Sequence, residues 1–170
     1  MPRGLTLIET VISIFILGML LIVAVPSFST LNDKYKVKRF IHELQFIYLQ
    51  TRSQAVLNNQ NMNFKFSVDC QDMDSTWCFV VKSNVLENVH LNENKDNFML
   101  YLTDKNFKNI NVSANFDEVK FDATNGWPSK SGTVIFFIDE TEKFRFIFHH
   151  ITARHRICSE GQSLYDFPIC

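Results

Sequence analysis

The residues Pro2-Arg3-Gly4-Leu5-Thr6-Leu7-Ile8-Glu9 are followed by an uncharged run from Thr10 to Asn32. A short basic leader and a glycine therefore precede a long apolar segment that carries one acid near its start. A helix needs roughly 20 apolar residues to cross the core of a bilayer, and the run from Thr10 to Leu31 has that length. The sequence predicts an N-terminal helix that is inserted in a membrane.

Glu9 is the acid in this apolar segment, and an ionised side chain there costs about a few kcal/mol and by default marks a function. Two simpler interpretations are open. One is a secretory signal peptide, although its only candidate cleavage site, Ala24-Val25-Pro26, contains a proline. The other is a plain membrane anchor with Glu9 at the headgroup boundary. Neither gives a reason for Gly4 or for the spacing between Gly4 and Glu9.

A single long helix is predicted from Leu5 to about Asn58, and its second half is amphipathic. Pro26 removes one backbone hydrogen bond and is expected to bend or loosen this helix. Beyond it, apolar residues recur at steps of three and four. These residues are Val37, Phe40, Ile41, Leu44, Ile47, Tyr48 and Ala55. We expect a sheet to cover this stripe; a helix that binds a partner is the alternative.

In the rest of the chain, alternating apolar and polar residues predict an antiparallel sheet, and together with the helix this gives an α+β fold. Its 17 phenylalanines and few glycines and prolines favour strands with aromatic inward faces over disorder. We expect two small sheets. The predicted strands are Met62–Val68, Trp77–Lys82, Val85–Leu91, Phe98–Leu102, Val112–Asn115, Phe116–Phe121, Thr133–Ile138, Phe144–Phe148 and His149–Cys158.

Four cysteines, in a chain whose N-terminus enters a membrane, predict an oxidising compartment and two disulfides. Cys70 and Cys78 flank a polar segment; a disulfide is favoured over a metal site because the spacing is not that of a zinc knuckle and no histidine lies nearby. Cys158 and Cys170 would close a loop of about a dozen residues, worth roughly 2–4 kcal/mol. That loop would hold an exposed tail, residues 159–169, against the sheet.

Several function classes have no support in the sequence. There is no glycine-rich phosphate loop, no His-Glu-x-x-His pair and no nucleophile elbow, so no enzyme, cofactor or metal site is predicted. His149, His150 and His155 lack a cysteine or carboxylate at ligand spacing and are interpreted as surface or strand residues. The formal net charge of −1 means that any binding to nucleic acid would need a local basic patch.

Arg154 and Arg156 form the one candidate for such a patch. In a strand they lie on one face, about 7 Å apart, together with Thr152, while Ala153, His155 and Ile157 point the other way. Two guanidinium groups so placed suit a phosphate backbone. The alternative is that they pair with acids on neighbouring strands. Lys143 and Arg145 could extend the patch if their hairpin lies alongside.

The segment from Gly4 to Glu9, the apolar run after it and Pro26 resemble the leader junction of type IV pilins and type II secretion pseudopilins. In that family a prepilin peptidase cuts after the glycine and methylates the new amine. The resemblance implies cleavage between Gly4 and Leu5, although the first mature residue is usually Phe. It implies a leader at 1–4, a transmembrane and filament-core half of the helix at 5–31, and a globular head at 32–170 that includes the amphipathic half.

The resemblance also gives Glu9 a role. After cleavage the amine of Leu5 is a positive charge in apolar surroundings, and a buried charge is tolerated mainly when it is paired. Glu9 of a neighbouring subunit is the natural partner. Such a pair would set the register between subunits as the helix leaves the bilayer for a filament.

The final strand with Arg154 and Arg156, followed by a C-terminal cysteine, resembles the FimT/FimU and GspH group of minor pilins and pseudopilins. Their final strand ends in Gly-Arg-x-Arg, and here Ala153 replaces the glycine. The FimT branch is associated with binding DNA in natural transformation, whereas FimU-like members prime pilus assembly and cap the tip. A minor pilin with one of these roles is implied; a GspH-like secretion pseudopilin is the alternative.

The same resemblance implies partners and location. The partners would be other major and minor pilins, the prepilin peptidase and, for the FimT-like role, double-stranded DNA. The prepilin would cross the bacterial inner membrane once with its head in the periplasm, and the mature chain would then belong to an extracellular pilus.

Overall fold

The structure is a computed structural model that describes residues 6–70, 75–83, 100–140 and 142–170, apart from the side chains of 23–30 and 69. Gly4, Leu5, the predicted strand Val85–Leu91 and the first two residues of the strand predicted at 98–102 lie outside the described residues. The chain divides into two compact units, Met1–Lys36 and Val37–Cys170. The second unit is called the head below.

The first element is α1 (Leu7–Leu57), which confirms the predicted single long helix. In the N-terminal unit, every described side chain from Thr6 to Ile22 is exposed, although most are apolar. No helix among the described residues combines the length and the apolarity that a bilayer crossing requires. The hydroxyls of Thr10 and Ser13 donate to the carbonyls of Leu7 and Glu9 at 2.7 Å, so these polar groups are satisfied within the helix.

Within the head, α1 buries the stripe that the sequence predicts. Its members are Val37, Phe40, Ile41, Leu44, Ile47, Tyr48 and Ala55, joined by Thr51. The buried hydroxyl of Thr51 donates to the carbonyl of Ile47 at 2.6 Å, which avoids an unsatisfied polar group. The helix ends in a Schellman motif: Asn59 adopts a left-handed φ of 50°, and the amide of Gln60 donates to the carbonyl of Ala55 at 3.1 Å.

The head contains eight described strands in two four-stranded antiparallel sheets. In chain order the strands are β1 (Met62–Cys70), β2 (Ser75–Ser83), β3 (Leu100–Thr103), β4 (Asn111–Ala114), β5 (Glu118–Phe121), β6 (Gly132–Phe137), β7 (Lys143–Phe148) and β8 (His155–Ser159). The first sheet has the order β3-β2-β1-β5 and the second β4-β6-β7-β8. The predicted α+β fold, a long N-terminal helix packed on antiparallel sheet, is confirmed.

Aromatic rings from both sheets pack on the buried stripe of α1. The ring of Tyr48 lies edge-on to Phe121 of the first sheet, 5.4 Å between centroids, and to Phe146 of the second, at 5.5 Å. Phe40 makes similar contacts with Trp77 at 5.7 Å and with Phe136 at 4.9 Å. Since both helix residues are fully buried, α1 joins the two sheets into one core.

The last strand is β8 (His155–Ser159), so the prediction of a strand over His149–Cys158 is wrong about where the strand begins. After β7 ends at Phe148, the chain makes a tight turn that is closed by the amide of His149 donating to the carbonyl of Arg154 at 3.0 Å. Ala153 has a φ of 50° in this turn, and a strand cannot continue through a left-handed residue. The strand β8 therefore begins at His155.

The two expected disulfides are present. Cys70–Cys78 links the last residue of β1 to the interior of β2, and Cys158–Cys170 ties the tail to β8. The tail is less exposed than predicted, because Tyr165 stacks on Phe144 with centroids 5.5 Å apart. The hydroxyl of Tyr165 donates to Glu142 at 2.6 Å, which fastens the tail to the start of β7.

Candidate functional site

The pairing of β7 with β8 decides where the motif arginines lie. Arg156 is opposite Ile147, while the residues that flank it, His155 and Ile157, are opposite Phe148 and Phe146. Phe146 and Phe148 are fully buried. Since residues directly across an antiparallel pair share a face, His155 and Ile157 face the core and Arg156 faces outward.

Arg154 lies in the turn before β8 and not in the strand, which corrects the placement expected from the sequence. The turn also contains Thr152, so Thr152 does not continue an arginine face; its hydroxyl instead accepts from the amide of Arg154 at 3.4 Å. Ala153 is buried, and its carbonyl accepts from the hydroxyl of Tyr48 at 3.4 Å. The residue directly before Arg154 is therefore left-handed, although it is an alanine and not the glycine of the Gly-Arg-x-Arg motif.

Both motif arginines are exposed, and neither side chain has a hydrogen bond or ion pair with any residue that the structure describes. The alternative in which they pair with acids on neighbouring strands is thus not seen in the described part of the chain. An unpaired guanidinium keeps its donors available to an anion from solution.

The hairpin that carries Lys143 and Arg145 lies alongside β8, which is the condition on which they were expected to extend the patch. Arg145 lies opposite Cys158, and its guanidinium donates to Glu160 at 2.7 Å. The ammonium of Lys143 lies over the ring of Phe137, 5.6 Å from its centroid. Both cations are therefore engaged by the protein itself.

Arg52 is a nearby cation that the sequence did not single out. It follows Tyr48 by one helical turn, and the ring of Tyr48 contacts that of His155 with centroids 5.4 Å apart. Burial, reinforced by the positive charge of Arg52, lowers the pKa of His155 below its ordinary value. Burial also raises the pKa of Tyr48 to about 12, with Arg52 opposing. No pattern in the sequence singles out Arg52, because its position relative to His155 depends on how α1 packs against the sheet.

His149 and His150 lie in the same turn with their rings stacked, 5.2 Å between centroids. Nδ1 of His150 is 2.9 Å from the hydroxyl of Ser131, and Nδ1 of His149 accepts from the amide of Ile151 at 3.3 Å. Both histidines are exposed. Within the described ranges, no group of three or more histidine, cysteine or acidic side chains is arranged to hold a metal ion.

The processing residues are separate from this site. Gly4 and Leu5 lie outside the described residues, and Glu9 is exposed in the first turn of α1. A negative charge there is favourable because the N-terminus of a helix carries a partial positive charge. Among the residues that the structure describes, no side chain pairs with that carboxylate.

The comparisons with known proteins give two similar structures. No family model and no curated protein matches the chain. The minor pseudopilin EpsH from the type 2 secretion system of Vibrio cholerae is 13% identical with a TM-score of 0.48, covering 72% of this chain and 97% of its own. The type IV minor pilin FimU of Pseudomonas aeruginosa is 10% identical with a TM-score of 0.47, covering 72% and 96%. By structure, the chain is similar to a minor pseudopilin and to a minor pilin.

Proposed function

We propose that this chain is a minor pilin or pseudopilin, made as a membrane-inserted prepilin, cut after Gly4 and assembled with other pilins into a filament. The observation that carries the proposal is the exposed apolar surface of α1 from Leu7 to Ile22, in which Glu9 is the one charged residue. An apolar surface of this extent requires a cover. A bilayer would supply it before assembly and the helices of neighbouring subunits afterwards.

The position of Glu9 gives this assembly a mechanism. When α1 leaves the membrane, the carboxylate of Glu9 would lie among apolar side chains, where only a pairing cation makes it tolerable. The amine of Leu5 on an adjacent subunit is such a cation once the leader is removed. The role is structural, and the proposed partners are the prepilin peptidase, the inner membrane and other pilins.

The direct test is recovery of the chain in filaments sheared from the cells that make it. A chain that serves in assembly should be found in the filament fraction at low abundance relative to the major subunit. Its restriction to the membrane fraction, with filaments present, would contradict the proposal.

A type IV pilus is the proposed setting, with priming or capping of assembly as the role. The alternative is a secretion pseudopilin similar to GspH. Deletion of the gene separates these roles: loss of surface pili with normal protein secretion indicates the first, and loss of secretion with normal pili indicates the second.

DNA binding during uptake is the second candidate function, favoured by the guanidinium groups of Arg154 and Arg156, which are exposed and have no partner among the described residues. Two cations can neutralise two phosphates of a DNA backbone, and each neutralised phosphate adds about 0.9 to the slope of log affinity against log salt concentration. The double change Arg154→Gln with Arg156→Gln should therefore lower that slope by about 1.8. Fluorescence anisotropy of a labelled duplex with the full-length chain in detergent measures it.

Arg39→Gln is the matched control for this experiment. Arg39 is also exposed on the head, but it already pairs with Glu43 at 3.0 Å, so its loss should leave the slope unchanged. A double mutant that binds duplex DNA with the wild-type slope would exclude the motif as the site.

A further inference from the structure

The edge of β8 that faces away from β7 carries backbone groups that have no partner among the residues that the structure describes. The carbonyl of Arg154 and the amide of Glu160 bond toward β7, at 3.0 and 2.8 Å, whereas the amide of Ser159 donates away from it, to the carbonyl of Pro168 at 2.8 Å. Backbone groups alternate in direction along a strand. The amides of His155 and Ile157 therefore point to the same side as that of Ser159, and no described residue accepts from them.

Cations lie on both sides of this open edge. Arg156, within the strand, faces outward from the sheet, with Arg154 just before it. On the core side, Arg52 lies one helical turn beyond Tyr48, whose ring contacts that of His155 with centroids 5.4 Å apart. The turn at Gly126 packs closely on the side chain of Arg52, since a Cβ at Gly126 would lie 2.7 Å from Cγ of Arg52.

Arg52 also has no hydrogen bond or ion pair with a side chain in the described part of the chain. In contrast, Arg39 on the same helix pairs with Glu43, and Arg145 on the same sheet pairs with Glu160. Among the described residues of the head, the guanidinium groups of Arg52, Arg154 and Arg156 thus have no partner, while the other two arginines are neutralised by carboxylates.

We infer that Arg52 belongs to the same phosphate-binding surface as Arg154 and Arg156, and that a DNA duplex lies across the open edge of β8. This inference rests on the second candidate function proposed above. Two phosphate groups would contact Arg154 and Arg156 on the outward face, and a third would contact Arg52 on the core side. The amides of His155 and Ile157, which point away from β7 at the open edge, lie between these phosphate contacts and can donate to a phosphate oxygen.

The test is the salt dependence of duplex binding by the full-length chain in detergent, with Arg52→Gln compared with wild type. Loss of one phosphate contact should lower the slope of log affinity against log salt by about 0.9 and weaken binding about tenfold at low salt. Arg52→Lys keeps the charge and should retain the wild-type slope. Arg39→Gln is the control for loss of a charge elsewhere on α1.

The outcomes separate this inference from the proposal on which it rests. If Arg52→Gln keeps the wild-type slope while the Arg154 and Arg156 double mutant loses it, DNA binding stands and Arg52 is excluded. If the wild-type chain does not bind duplex DNA even at low salt, both the proposed DNA binding and the role of Arg52 in it are overturned. If Arg52→Lys lowers the slope of log affinity against log salt as much as Arg52→Gln does, and its unfolding midpoint is unchanged, the result contradicts a phosphate contact made through charge.

Discussion

Replacement of Glu9 by valine is expected to leave the chain folded and in the membrane but to lower its incorporation into filaments by about 100-fold or more. Removing one partner of a buried charge pair costs about 3–5 kcal/mol, and each 1.4 kcal/mol is about a factor of ten. The amine of Leu5 on the neighbouring subunit would be left without its counter-charge. Quantitative immunoblots of the filament and membrane fractions measure the effect.

Thr10→Val is the matched control, because Thr10 is the next residue on the helix and its hydroxyl is already satisfied by the carbonyl of Leu7. It should be incorporated like wild type. Equal incorporation of the Glu9→Val chain would exclude the proposed pairing, whereas a chain absent from the membrane as well would indicate a failure before assembly.

Replacement of Tyr48 by alanine is expected to have the largest effect on the stability of the head, a loss of about 3–5 kcal/mol in the free energy of unfolding. Tyr48 is fully buried and its ring contacts Phe121, Phe146 and Phe148, which belong to both sheets. Its removal would open a cavity where α1 joins the two sheets. Chemical denaturation followed by circular dichroism measures the loss.

Two variants define the scale for this result. Tyr48→Phe keeps the ring and loses the hydroxyl that donates to Ala153, so it should cost about 0.5–1.5 kcal/mol. Tyr35→Ala removes a ring that is 69% exposed and should change stability by less than about 0.5 kcal/mol. If Tyr48→Ala is no more destabilised than Tyr35→Ala, the helix does not anchor this core.

The helix and most strands could be predicted because their apolar periods match one element only. The stripe from Val37 to Ala55 follows the helical period and is buried, and of the residues that alternate from Met62 to Val68 the first three apolar ones are buried while Val68 is exposed. The Cys70–Cys78 disulfide could be expected because the two cysteines flank a polar segment between two predicted strands; in the structure Cys78 lies within β2, opposite Ser67.

The details of the candidate site could not be predicted, for physical reasons that differ between residues. Ala153 takes a left-handed conformation that its residue type disfavours, and this moves the start of the last strand to His155. Arg145 is neutralised by Glu160 because the residue after β8 continues the pairing with β7, the amide of Glu160 donating to the carbonyl of Lys143. Arg52 lies one helical turn beyond Tyr48, whose ring contacts His155 of β8, and this placement depends on the packing of α1, which no local pattern encodes.

The most direct test of the proposed role is the mass of this chain isolated from sheared filaments, with its N-terminal peptide sequenced. The account predicts a chain that begins at Leu5, carries one added methyl group on its amine and retains the disulfides Cys70–Cys78 and Cys158–Cys170. A filament-associated chain that still begins at Met1, or one cut near Pro26 as a secretory signal would be, would contradict it.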